Sequence, residues 1–292
     1  AAGERPCRSG RARPSALSLP WMADGELPTA KCRPVPPDGR GAMFETPHQA
    51  SRQPFLRRIE TVALFTLSDA ERAALVALPM QVAQFEPNQD IVREGDRPTR
   101  SFTLLSGIAC TYKSTLAGKR QVMTYHVPGD VPDFQSLYLE VLDINIATVS
   151  ACRLGFVSHE AVRGLMRAHP RLTEVFWRAT LIDAALVREW MLNTGRRDAY
   201  ARMAHLFCEL VTRLGAVGLA PDRTCELPMT QPELADALGI TSVHVNRTIR
   251  DLKSAGLITL RDRRLTVHDW PGLQAAAGFD PAYLHLRDAE TR

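Results

Sequence analysis

Residues 230–268, TQPELADALGITSVHVNRTIRDLKSAGLITLRDRRLTVH, decide how this 292-residue chain is read. Thr230 stands where a helix N-cap is needed, Glu233 follows at the capping-box position, and Pro232 is tolerated in the first turn. Leu234, Ala235 and Leu238 share one face, and Gly239 comes where a left-handed residue ends a helix. Thr241 caps the next helix. Within it Val245, Ile249 and Leu252 recur at i, i+4 and i+7, so this stripe packs inward. Ser242, Val243, Asn246, Arg247 and Arg250 then point outward, with His244 at the flank. Gly256 stops the helix and Leu257 can fold back on Leu252, as in a Schellman ending. Leu257–Leu260 and Leu265–His268 suit two short strands around a turn of Arg261, Asp262, Arg263 and Arg264.

Two short helices, a tight turn and a basic hairpin make a winged helix-turn-helix, a device that places a helix in the DNA major groove. Charge agrees with this reading. From Thr241 to Leu265 six basic residues face two acidic ones, a local +4. The whole chain also carries only +4, and residues 1–42 account for +3 of it, so the rest is nearly neutral. A protein that coats nucleic acid without regard to sequence would be basic throughout.

Residues 1–42 hold seven prolines and five glycines with no apolar period. Such a composition cannot bury enough surface to order itself, so residues 1–50 are expected to form a disordered N-terminal extension. Met43 opens the more protein-like sequence, and the sequence leaves open whether residues 1–42 belong to the natural protein. No stretch has the apolar length of a signal peptide or a membrane span, and a cytoplasmic location is expected. The six cysteines are Cys7, Cys32, Cys110, Cys152, Cys208 and Cys225, with no C-x-x-C pair. Their spacing supports no zinc or iron–sulfur site, and no cofactor or metal is expected.

Gly95, Gly107, Gly118 and Gly129 follow one another at intervals of 12, 11 and 11 residues, the spacing of turns between short antiparallel strands. Ser101–Leu105, Ile108–Lys113 and Gln121–Val127 between them are rich in β-branched, aromatic and aliphatic residues, and Asn145–Ser150 and Leu154–Val157 continue the pattern. Ser68–Leu78 reads as a helix capped by Ser68 with Glu71. From about Glu160 the period becomes helical. Leu172, Val175, Ala179, Ile182 and Leu186 follow 3-4-3-4 spacing, a seam for a twin helix in a dimer or, alternatively, a stripe packed on the chain's own β-roll. Gly195 is expected to break that helix, with a hinge over Asn193–Arg197 before a further helix from Asp198 to Leu214. The expected architecture is α+β: an N-terminal antiparallel, jelly-roll-like β-roll with flanking helices (51–169), a long dimerisation helix (170–194), a winged helix-turn-helix (195–275) and a C-terminal tail (276–292).

This layout resembles the Crp/Fnr superfamily of bacterial transcription regulators over roughly residues 55–270. The resemblance is carried most specifically by LLSGIACTYK (Leu104–Lys113), VPGD (Val127–Asp130) and LADALGITSVHVNRTIRDLKSAGLI (Leu234–Ile258). It implies a homodimer on a palindromic operator in double-stranded DNA, a signal received through the β-roll, and contact with RNA polymerase. By position, Ser242, Val243, Asn246 and Arg247 would face base edges, Arg247 matching the family's recognition-helix arginine. A guanidinium there can read guanine O6 and N7 bidentately. Gln231, Thr241, His244, Arg250, Arg263 and Arg264 would grip phosphates. Cyclic-nucleotide binders carry a glycine–glutamate segment and then an arginine followed by Ser or Thr. Here those places hold Asp130–Tyr138 and Leu142–Ser150, with Asn145 and Ile146 where Arg–Ser/Thr would be. A cyclic phosphate would be buried unpaired, so such a ligand is disfavoured and the effector is unknown. Cys7 and Cys32 do not reproduce the spacing of the iron–sulfur members either.

Two rival functions are weaker. His126, His159, His205 and Glu160 sit in no recognisable nucleophile, metal or phosphate-loop constellation, so no enzyme is expected. The other is a small-ligand-binding module whose winged helix makes protein contacts. The arginine-rich wing counts against it, because basic charge stands where a phosphate backbone would run.

Overall fold

In the computed structural model the described residues are 52–286; the expected N-terminal extension lies outside them. Two helices open this region, α1 (Gln53–Val62) and α2 (Asp69–Ala77). The second carries the expected capping box, with Ser68 and Glu71 bonded both ways. Seven strands follow, interrupted by a 3-10 turn at Phe134–Leu137: β1 (Gln81–Phe85), β2 (Asp90–Val92), β3 (Arg100–Ser106), β4 (Ala109–Ser114), β5 (Arg120–His126), β6 (Asn145–Thr148) and β7 (Cys152–Ser158). They form one sheet of order β1-β7-β3 and another of order β2-β6-β4-β5. Every pairing is antiparallel, as the glycine-punctuated strands require. All four spaced glycines have positive φ. At Gly107 and Gly129 a Cβ would also strike the carbonyls of Ala151 and Pro54, so the turns need glycine for space as well as for conformation.

Inside the roll, Phe85, Phe102, Leu104, Leu142, Ile146, Leu154 and Phe156 form their own apolar cluster. A second cluster runs on from the roll through the helices into the C-terminal part. The helices are α3 (His159–Ala168), α4 (Pro170–Arg196) and α5 (Ala199–Ala216). Gly195 does not end α4, which runs one residue past it; Arg197 adopts an extended conformation and Asp198 caps α5. The break therefore falls at the end of the expected hinge, where an N-cap carboxylate begins a new helix.

The C-terminal part comprises β8 (Thr224–Glu226), α6 (Gln231–Leu238), α7 (Ser242–Ser254), β9 (Ile258–Arg261), β10 (Arg264–Val267) and α8 (Trp270–Ala277). Its sheet has the order β8-β10-β9, so the expected hairpin gains a third strand. The residues expected to be a tail from 276 are folded as far as Leu286. Phe279 and Leu284 are buried, and Tyr283 Oη donates to Glu209 Oε2 at 2.8 Å.

Candidate nucleic-acid interface

The interface is built from caps and stops. Thr230 N donates to Glu233 Oε2 at 2.7 Å, completing the capping box of α6, and Gly239 is left-handed with φ 63°. Thr241 Oγ1 accepts from His244 N at 3.3 Å to start α7. At the far end Leu257 N donates to Leu252 O and Gly256 N to Lys253 O, the two bonds of a Schellman motif. These fixed ends set the rotation of α7. Val245, Ile249 and Leu252 are buried, joined by Thr248, which the apolar pattern does not mark.

Everything on the opposite face is open. Val243, His244, Asn246, Arg247 and Arg250 are exposed, and Ser242 is half-buried. Among the described residues Arg247 and Arg250 make no ion pair or hydrogen bond, so their guanidinium groups are free to meet a ligand. A hollow of about 240 Å³ is shared by Gln231, Asn246, Arg250 and Lys253, which brings the first turn of α6 beside the middle of α7. Lys253 Nζ donates to Leu260 O at 2.6 Å and ties α7 to the wing.

The wing turns on two residues, Asp262 and Arg263, both with positive φ (49° and 57°). That is the conformation of a tight two-residue hairpin, and it puts Arg263 at the tip. Arg264 stands between Arg261 on one neighbouring strand and Glu226 on the other. It lines a cavity of about 620 Å³ between the winged helix and the β-roll, together with Asp222 and Glu226. Of the two wing arginines assigned to phosphate, Arg264 shares its cavity with Asp222 and Glu226, while Arg263 sits at the tip beside Asp262, whose carboxylate lies 3.4 Å from Arg261.

The expected dimer seam is corrected. Leu172, Val175, Ile182 and Leu186 are buried within the chain's own core, and Ala179 packs against it. The apolar residues that α4 leaves exposed are Trp177 (67%), Leu181 (51%), Met191 (73%) and Leu192 (48%). With Ala184 and Arg188, both exposed, Trp177, Leu181 and Met191 form a second 3-4 stripe on the opposite side of the helix. Two apolar stripes share one helix, and the more hydrophobic one faces inward.

Behind the winged helix lies a buried polar network that the sequence reading does not anticipate. Arg213 of α5 donates to Asp130 Oδ2 at 2.7 Å and to Glu209 Oε1 at 3.0 Å. Arg58 Nε lies 3.1 Å from the other oxygen of Asp130, and Trp190 Nε1 donates to Glu209. Burial pushes the Asp130 carboxyl up, but Arg213 and Arg58 outweigh it and hold the group below the usual carboxylate range. On the outside of the roll, Tyr125 Oη donates to Glu233 O and Gln121 Nε2 to Ala237 O, so α6 rests on β5.

Known proteins match both halves. A Crp-like helix-turn-helix domain matches residues 201–276, and a cyclic nucleotide-binding domain matches residues 82–169. The chain belongs to the Crp/Fnr superfamily. It is 28% identical over 186 residues to the nitrogen fixation regulation protein FixK of Rhizobium meliloti, covering 64% of this chain and 82% of that protein. It is 27% identical over 216 residues to the transcriptional activator protein FnrL of Cereibacter sphaeroides, covering 73% and 86%. The structure of FixK2 from Bradyrhizobium japonicum has the same fold, with a TM-score of 0.63 at 20% identity over 70% of this chain and all of that one. This Crp/Fnr protein is a DNA-binding transcription regulator.

The β-roll of this regulator departs from a cyclic-nucleotide site in detail. Asn145, which stands at the place of the phosphate-binding arginine, uses Oδ1 to accept from Glu94 N at 3.1 Å. Cys110, Cys152, Cys208 and Cys225 are buried free thiols. Burial pushes the Cys110 thiol up to about 11, although Arg120 Nη2, 3.0 Å away, pulls the other way. Such a thiol is a packing group at neutral pH. Among the described residues no helix is long and apolar enough to cross a membrane.

Proposed function

We propose that this regulator acts as a homodimer on a two-fold symmetric operator, with one α7 in each of two successive major grooves about 34 Å apart. The observation that carries the proposal is the free basic face of α7, held in fixed rotation by its caps and its buried stripe. Ser242, Val243, Asn246 and Arg247 read bases in this arrangement. Gln231, Thr241, His244, Arg250, Arg263 and Arg264 hold phosphates, which sets register. The dimer forms through the outward stripe of α4, with Trp177, Leu181, Ala184 and Met191 at its centre, because water-exposed apolar residues at 3-4 spacing gain most by pairing with a twin.

The functional parts we infer are a sensor (51–169), a dimerisation helix (170–194) and a reader that starts at about residue 195 and, with α8 and the segment to Leu286, extends past 275. The protein works in the cytoplasm, has no catalytic role, and contacts RNA polymerase when bound upstream of a promoter. Selection of bound sites from a randomised DNA pool tests the reading. A two-fold symmetric consensus supports it, whereas enrichment of a single unrepeated half-site argues against the dimer.

A further inference from the structure

One side chain on the open face of α7 can make no polar contact. Among the described residues beyond Leu219, Val243 is the large apolar residue left exposed, at 80%. It lies in the first turn of α7, between half-buried Ser242 and exposed His244. Water does not favour a valine side chain there, and valine is a weaker helix former than alanine. Its β-branch holds both methyl groups in one preferred orientation, so little freedom is lost when they meet a surface.

Val243, Arg247 and Arg250 stand at i, i+4 and i+7, an outward line opposite the buried stripe of Val245, Ile249 and Leu252. Neither arginine has an ion pair or hydrogen bond among the described residues. An apolar end thus continues a cationic line, and a surface that docks on Arg247 also covers Val243. In the DNA major groove, base edges present hydrogen-bond donors and acceptors together with one apolar group, the C5 methyl of thymine. The Val243 side chain has neither donor nor acceptor, so that methyl group is the feature it can read.

We propose that Val243 reads the C5 methyl group of a pyrimidine one or two base pairs from the guanine met by Arg247. Four residues of helix rise about 6 Å, and base pairs follow one another at about 3.4 Å, which sets that separation. The proposal deepens the reading of α7 as the recognition helix and rests on it. What Val243 recognises is the methyl group rather than the whole thymine, so 5-methylcytosine satisfies the same contact and cytosine does not. Affinity for such a site therefore responds to cytosine-5 methylation of the DNA.

The test uses the full chain and the site selected from a randomised pool. Each thymine is replaced in turn by deoxyuridine, which lacks only the methyl group, and affinity is read by fluorescence anisotropy. One position in each half-site is expected to lose about fourfold, the ratio for one buried methyl group. At that position 5-methylcytosine is expected to bind about fourfold more tightly than cytosine. Val243→Ser removes the apolar contact, so both ratios are expected to fall to near one while affinity for random DNA is unchanged. A consensus with no methyl-sensitive position near a guanine, or ratios that persist in Val243→Ser, would overturn the proposal and leave base reading by Arg247 standing. A pool that yields no consensus would overturn both. The wild-type comparisons stand even if the variant folds poorly.

Discussion

Arg213 in the first helix of the winged-helix unit and Asp130 at the last glycine turn of the β-roll form a buried pair, 2.7 Å apart. The pair joins the two halves of the molecule, and each member has a second partner in its own half, Arg58 for Asp130 and Glu209 for Arg213. Removing Arg213 leaves Asp130 with Arg58 alone and takes the cation from buried Glu209, which is expected to be expensive because a buried charge that loses a partner keeps its desolvation cost. Arg213→Met should lower the unfolding free energy by roughly 3–5 kcal/mol, measured by urea titration. A loss below about 1 kcal/mol, the range of exposed pairs, would mean that water reaches the pair.

Position on α4 separates two leucines of similar sequence context. Leu181 is half exposed on the outward stripe and Leu186 is buried on the inward one. Leu181→Glu should leave the fold intact and convert the protein to a monomer in sedimentation velocity, since like charges would face each other across the seam. Leu186→Glu should instead lower the melting temperature steeply, because it buries a carboxylate in the core. A Leu181→Glu protein that remains dimeric would move the seam elsewhere.

His126 gives a signed pH dependence. Its imidazole is buried, shares a 2.7 Å hydrogen bond with Thr111 Oγ1, and is pushed down to about 4, by burial first and then by Arg213 and Arg58 against the pull of Asp130. A lowered folded-state value means that the stability due to the neutral ring is present above pH 6.5 and is lost as pH falls toward 4. That loss is worth roughly 3 kcal/mol. The difference in unfolding free energy between the wild type and His126→Gln should therefore shrink over this window, and a constant difference would show that the ring does not titrate there.

Arg263 and Arg264 are adjacent, yet the turn separates their surroundings. Arg263→Ala should weaken binding to all DNA sequences nearly equally and reduce the salt slope by about 1. Arg264→Ala should have a smaller effect, since Asp222 and Glu226 line the same cavity and offset its charge. The reverse order, read from affinity at several salt concentrations, would place the backbone on the β8 side of the wing.

How far the chain could be read without coordinates depended on where the signals were local. The caps at Ser68, Thr230 and Thr241 and the left-handed Gly239 are fixed by neighbours within a few residues, so they are legible from composition alone. Strand β8 is not, since its three residues pair only with β10, some forty residues away. Helix α1 begins after Arg52, whose side chain makes no cap, and so its start is marked only by Pro54 in the first turn. Helix α8 has one, with Asp269 as cap and Pro271 in the first turn, but Gly272 masks it. The stripe from Leu172 to Leu186 proved to face the chain's own core, because a period reports that a face is apolar, not which surface it meets. The Asp130–Arg213 pair links residues 83 apart, and no local pattern joins them. The exposed face of α7 was legible for the opposite reason: the buried stripe at Val245, Ile249 and Leu252 determines it by exclusion.

The central claim is that α7 reads DNA sequence through Arg247, and the most direct test measures the affinity of Arg247→Ala for its selected site and for a scrambled one. The cognate complex should weaken by roughly 1–3 kcal/mol, with preference relaxed at a single base position and little change on scrambled DNA. Equal losses on both DNAs would contradict base reading by Arg247 and reduce it to a phosphate contact.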